Sequence, residues 1–221
     1  MPAFHPRVED LPGEFPVFPL SGALLLPRGK LPLRIFEPRY LAMTEASLSR
    51  GRMFGMIQPD PTAAETATGP GLFRVGCLGR ISSFAETDDG HFLITLTGLI
   101  RFAVQSEMEM RGGYRRVRGD FSSYLSDLDL KQPASEVPRE ALLSVLRGYF
   151  THRRIDANWD AIKRLPDDML VVTLAMVCPF EPAEKQALLE VATGAELASA
   201  LQTLLQMGAL APDLPGGRSV S

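Results

Sequence analysis

The sequence predicts an α+β protein in which a curled, barrel-forming β-rich half, with one inserted helix, is followed by a bundle of helices. Three observations carry this prediction. Up to Phe121 the apolar residues come in short runs broken by Gly and Pro; within one run, apolar and β-branched residues alternate with period two; and from about Arg139 the apolar period becomes helical.

The opening run, "EFPVFPLSGALLLPRGKLPLRIF", holds Pro16, Pro19, Pro27 and Pro32 together with Gly22 and Gly29, so no long helix can form there and short extended segments remain. A helix follows in "EPRYLAMTEASLSRG". Pro38 suits its first position, where a missing N–H costs nothing, and Tyr40, Leu41, Thr44 and Leu48 fall on one face before Gly51 stops it. Strands are then expected in "FGMIQP", "GLFRVGCLGRISSF" and "HFLITLTGLIRFAV". In the last, Phe92, Ile94 and Leu96 alternate with Leu93, Thr95 and Thr97. The Asp-Gly turn in "ETDDG" makes a hairpin with the preceding strand, and Gly98 marks a bulge or tight bend where the strand curls.

Two stretches read as loops: "QPDPTAAETATGPG" (58–71), expected to be a mobile surface loop, and "SSYLSDLDLKQPASEVP" (122–138), expected to be a linker. Beyond it, Leu142, Leu146, Tyr149 and Phe150 make one helical stripe, and Met169, Leu170, Thr173, Leu174 and Val177 another. "EPAEKQALLEVATG" is bounded by Pro182 and Gly194, and Leu197, Leu201, Leu204, Leu205 and Gly208 line one side of the last helix. The expected organisation is a β-rich subdomain (1–121), a linker (122–138), a bundle of four or five helices (139–210) and a flexible tail (211–221).

With 221 residues, of which 45% are hydrophobic and 22% charged, the chain has the material for a substantial core. Its net charge of −3 disfavours nucleic acid as a partner, because neutralising phosphates needs a concentrated basic surface. No secretory leader and no apolar run of membrane-spanning length is found, so no membrane partner and a cytoplasmic location are expected. Cys77 and Cys178 lie far apart in apolar stretches and read as reduced, buried thiols, with a disulfide or redox pair as the alternative.

No catalytic constellation emerges. Gly29-Lys30 lacks the upstream glycine of a phosphate-binding loop, and Gly69, Gly71 and Gly76 have the wrong spacing for a dinucleotide fingerprint. His5, His91 and His152 occupy separate segments, with no HExxH or CxxC, so neither a metal nor a cofactor is expected. GxSxG is missing too, and none of the four lysines sits in an apolar setting that would activate it. The run "RGGYRRVRGDF" is the one basic feature. Read as a strand, it places Tyr114, Arg116 and Arg118 on one face, either as an anion or RNA surface or as arginines paired with nearby acids.

Taken in order, "FPVFPLSGALLLPRGKLPLRIFEPRY", "FGMIQP", "GCLGRI", "LTGLIRF" and "NWDAIKRLPDDMLVVTLAMVCPFEPAEKQALLE" resemble the N-terminal, substrate-binding domain of Lon proteases and the stand-alone Lon-domain proteins. The resemblance runs from about Phe15 to Met207 and implies a PUA-like curled β-domain followed by a helical bundle. It also implies a non-enzymatic module that recognises unfolded or specific client polypeptides, with a separate protease or chaperone as a further partner. Neither the ATPase nor the protease module of a full Lon protease is recognised in the sequence.

Two groups of residues follow from this reading. Leu24, Leu25 and Leu26 with Met53, Phe54 and Met56 are candidates for an exposed polypeptide-binding patch, since methionine adapts to varied partners. Arg34, Glu37, Arg39 and Tyr40 are expected to pin the corner between strand and helix, with Glu37 as helix cap and an ion pair buried enough that losing Arg34 clearly lowers stability. The alternative function, RNA binding, would use the strand from Arg111 to Arg118, with Tyr114, Arg116 and Arg118 as the contact residues.

Overall fold

The structure, a computed structural model, describes residues 6–129 and 139–210; the expected tail and the second half of the expected linker lie outside them. Six strands form in chain order: β1 (Glu14–Pro19), β2 (Lys30–Ile35), β3 (Met53–Ile57), β4 (Val75–Glu86), β5 (Phe92–Arg111) and β6 (Tyr114–Asp120). The helices are α1 (Pro38–Leu48), α2 (Arg139–Arg153), α3 (Trp159–Arg164), α4 (Asp167–Val177), α5 (Pro182–Glu190) and α6 (Gly194–Leu210).

The strand order is β2-β5-β4-β3-β1-β6, and β6 returns to pair with β5. The ring β1-β3-β4-β5-β6 is therefore closed, which removes its open edges. Only β1 and β3 run parallel, joined by the crossover through β2 and α1. The long β5 serves two sheets. Its second half lies in the ring between β4 and β6, while Phe92–Thr97 runs past it between β2 and the end of β4, making a three-stranded wing. The change of direction falls at the expected glycine: Leu78 pairs with Ile100 but Gly79 with Gly98, leaving Leu99 as the extra residue of a bulge.

Phe15, Val17, Ile57, Leu78, Ile100, Phe102 and Val117 fill the barrel. The Phe15 and Phe102 rings meet edge to face at 4.9 Å, and they fit because Gly55, Gly76 and Gly119, on three surrounding strands, leave the space a side chain would take. Helix α1 has its expected bounds but docks on Tyr40, Met43, Thr44 and Ser47, not through Leu41 and Leu48. Its buried hydroxyls cost little because Thr44 donates to the Tyr40 carbonyl and Ser47 to that of Met43, both at 2.8 Å.

The chain groups into two compact units, Met1–Gln132 with Val172–Glu190, and Pro133–Val171 with Val191–Ser221. The grouping differs from the sequence-based segments in two places. The second half of α4 and all of α5 belong with the barrel, and the start of the expected linker is a 3-10 helix, Ser122–Leu128, whose Tyr124 and Leu128 pack on the barrel core. The loop over 58–71 is not loose either: Asp60 N–H donates to the Gly71 carbonyl at 2.9 Å, Thr66 and Gly69 form a bridge, and Gln58 is buried.

In the second unit, α2 and α6 pack together through Leu142, Leu146 and Tyr149 on one side and Leu197, Leu201 and Leu205 on the other. Gly208 lets the helices approach, since a Cβ there would overlap the Tyr149 ring. Trp159 packs against Phe150 with tilted rings, 5.7 Å between centroids.

Candidate functional site

The apolar residues singled out from sequence do not form a surface. Leu24, Leu25, Leu26, Phe54 and Met56 are all at most 3% exposed, and Met53 is half-buried. The reason is local. The irregular "ALLLP" segment lies on β4 and β5, with the Leu26 carbonyl against Gly98 and Leu25 against Gly79, so its leucines complete the core. Phe54 and Met56 sit on a strand with neighbours on both sides, on the face opposite Gly55, and are buried there.

The corner charges are structural but not buried. Arg34 reaches across the hairpin to Asp89 at 2.8 Å and to His91 Nδ1 at 2.9 Å, with more than half of the Arg34 and Asp89 side chains exposed. Glu37 does not cap α1 with its side chain: its carbonyl accepts from Tyr40 and Leu41, while its carboxylate takes Arg39 at 2.8 Å. Arg39 in turn lies over the Tyr40 ring, 4.6 Å from its centroid. Exposed pairs of this kind contribute about 0–1 kcal/mol, so the expected clear loss of stability without Arg34 is withdrawn.

On β6, Tyr114 is buried, and Arg116 and Arg118 both bond Glu14 on β1, at 3.3 and 2.7 Å. Arg115 points the other way, buried on Glu107 at 2.6 Å and the Pro70 carbonyl. The arginine strand is thus largely neutralised. The Arg118 hydrogen bond, followed by the charges of Arg118 and Arg116, holds the Glu14 carboxyl below its usual range.

Beside this strand a cleft of about 230 Å³ opens between α1, β1 and β6. Pro12, Phe15, Pro16, Met53 and Tyr114 supply its apolar lining, with Ser47 at one side; Arg50, Arg111 and Arg116 with Glu14 supply its charge. It gathers Met53, Tyr114 and Arg116 from the sequence candidates, with Arg111 from the same basic run, and adds Arg50.

The wing presents the other surface. Beyond Ile81, β4 has β5 on one side and, among the described residues, no strand on the other, and Ser82 to Glu86 are all exposed. Phe84 is 41% exposed and touches Phe92 at 5.0 Å; Leu93, on the opposite face, is 45% exposed, and Phe36 beside His91 is 58% exposed. The sequence reading placed no function on these residues, although Phe84, sharing its strand face with Ser82 and Glu86, and Leu93, sharing its face with Thr95 and Thr97, were visible as apolar residues among polar ones.

Two buried polar groupings hold the barrel unit together. Arg101 pairs with Asp127 through three hydrogen bonds of 2.7 to 3.0 Å, lies over the Tyr124 ring and donates to the Leu189 carbonyl. Gln58 donates to Gln186 and to the Pro182 carbonyl, Gln186 donates to the Val75 carbonyl, and Lys185 donates to the Gly22 carbonyl at 2.6 Å, fastening α5 to the strands. Burial pulls the Lys185 pKa down and pushes the Cys178 thiol up to about 12. Among the described residues no His, Cys, Asp or Glu group could hold a metal ion, and no helix is long and apolar enough to cross a membrane.

A small closed barrel with a strand wing, followed in the chain by packed helices, defines the class of fold. The chain belongs to the ATP-dependent protease La (LON) substrate-binding domain family, whose model matches residues 14–207. Among curated proteins it is 27% identical over 99 residues to a Lon protease of Desulfosudis oleivorans, covering 44% of this chain and 12% of that one. It is also 27% identical over 133 residues to Lon protease 2 of Sorangium cellulosum and 29% over 126 residues to protein cereblon of Danio rerio, covering 59% and 53% of this chain. The matches span only 12 to 28% of those relatives' lengths. The fold is that of a Lon N-terminal domain protein from Xanthomonas campestris (TM-score 0.56, 22% identity, 86% of this chain and 97% of that one). The N-terminal domain of a Lon protease from the Mycobacterium avium complex is similar, with a TM-score of 0.55, 16% identity, and 87% and 97% coverage.

Proposed function

We propose that this protein is a non-enzymatic polypeptide-recognition module that binds unfolded or specific client proteins, with a separate protease or chaperone acting on what it holds. The observation that carries the reading is the wing. An exposed β4 edge accompanied by Phe84, with Leu93 and Phe36 on the other face, offers main-chain groups to an extended segment and apolar contacts to its side chains. Family membership supports the same class of ligand. The RNA alternative has less support, because Arg116 and Arg118 are engaged by Glu14 and Tyr114 is buried.

The test is fluorescence anisotropy of the protein against a labelled, permanently unfolded polypeptide and a labelled RNA oligomer, each at low and moderate salt. Polypeptide binding that persists in salt, and that weakens at least threefold in Phe84→Ser and Leu93→Ser, is the expected result. Salt-sensitive binding of RNA alone would overturn it, since counterion release marks phosphate contacts.

A further inference from the structure

We infer that the cleft between α1, β1 and β6 is a second, charge-selective subsite that takes an acidic side chain, with its apolar neighbour, from an extended polypeptide. The inference rests on the polypeptide-recognition reading and deepens it. Of the three arginines lining the cleft, Arg116 is engaged by Glu14, whereas the guanidiniums of Arg50 and Arg111 have neither an ionic nor a hydrogen-bonding partner among the described residues. They come from separate places in the chain, Arg50 from the turn that follows α1 and Arg111 from the last position of β5. Glu14 stays ionised and committed to its own pair of arginines, so it does not neutralise them.

The apolar part of the lining is supplied by Phe15, Pro16 and Met53. A carboxylate held by the two guanidiniums would place an adjacent apolar residue against that lining. The volume, about 230 Å³, falls below the ~300–1,000 Å³ of ligand and cofactor clefts and matches one or two amino-acid side chains. A nucleic acid fits less well: two unengaged arginines with a glutamate beside them do not make the continuous basic track a phosphate backbone needs. The occupant is therefore an internal Asp or Glu followed by an apolar residue.

The experiment uses the full chain and a fluorescein-labelled, C-terminally amidated peptide alternating Glu with Leu, which offers side-chain carboxylates but no terminal one. A matched Gln peptide and a single-stranded RNA serve as competitors. The variants Arg50→Ala, Arg111→Ala and Arg50→Ala/Arg111→Ala remove one or both guanidiniums of the cleft, and Arg74→Ala removes the same charge as either single variant from an exposed arginine outside it. Melting temperatures confirm that the variants fold, as expected for side chains without partners. The inference expects the Glu peptide to bind at least tenfold more tightly than the Gln peptide, that preference to vanish in the double variant, and Arg74→Ala to leave it intact. Equal affinity for the two peptides, an unaffected double variant, or a loss in Arg74→Ala equal to that in either single variant would sink it, as would RNA outcompeting the Glu peptide through Arg50 and Arg111. In parallel, the net-neutral unfolded polypeptide separates the two readings. If it binds through the wing while the Glu peptide shows no preference, only the subsite falls; if neither binds, the recognition reading falls with it.

Discussion

Arg34 and Arg101 look alike in the sequence, each a lone cation in an apolar run, and the structure gives them opposite weights. Arg34 lies in solvent with Asp89 and His91, so Arg34→Ala is expected to cost less than about 1 kcal/mol, a shift in Tm of under about 4 °C for a chain of this size. The Arg101 and Asp127 side chains are only 10% and 8% exposed, and removing one partner from a buried pair costs about 3–5 kcal/mol because the other charge is left uncompensated. Asp127→Ala is therefore expected to lower the Tm by about 6 °C or more, read by circular dichroism. Equal losses in the two variants would refute this ranking. The difference was not legible in the sequence. Asp127 lies 26 residues from Arg101 in a stretch that reads as linker, and only the folding of β5 against the Ser122–Leu128 turn brings them together.

At the scale of elements, Gly98 is the position on which the wing depends. Its N–H donates to the Gly29 carbonyl, its carbonyl accepts from Arg28, and a Cβ would overlap the Leu26 carbonyl oxygen, which already accepts from Gly29. Backbone cannot swing aside as a flexible side chain can, so Gly98→Ala is expected to destabilise by about 1–3 kcal/mol or more, measured as a fall in the urea midpoint. A neutral outcome would mean that the Leu26–Gly29 turn is free to move. The bulge itself, the Asp-Gly hairpin, α1 and most of the helical stripes were readable, because glycine, proline and periodicity act through local sterics; Val177, placed on the α4 stripe, is instead 64% exposed. The docking face of α1 was readable only in part: Tyr40 and Thr44 lie on it as expected, but Met43 and Ser47 were not foreseen, and Ser47 becomes buried once its hydroxyl bonds within the helix. Nor was the fate of "ALLLP" readable, since an apolar run without regular structure can be a surface patch or a lid on the core, and only the space left by Gly79 and Gly98 decides.

For the whole molecule, the chain passes between its two units three times, and the middle passage lies inside α4. Each unit carries its own reporter: Trp159 in the helical unit, and the buried Cys77 and Cys178 in the barrel unit. Burial raises the pKa of both thiols, to about 12 for Cys178, so a thiol reagent at pH 8 is expected to reach them only on unfolding. Because melting either unit ends a shared helix, thiol labelling and Trp159 fluorescence are expected to report one urea midpoint. Two separated midpoints would show that α4 breaks at the boundary without cost to the unit that remains.

The way α5 is fastened also decides how this protein can be cut. A fragment ending at residue 132 would look like a complete β-domain, yet it would lose the side chains of Lys185 and Gln186 that answer the Gly22 and Val75 carbonyls, and the amide that partners Gln58. The fragment that preserves the barrel must splice Val172–Glu190 back on, and the remaining helices then lose the second half of α4. Deletion mapping of a binding activity on this chain would report such broken joints as lost binding sites. Point substitutions on the wing and in the cleft leave the joints whole.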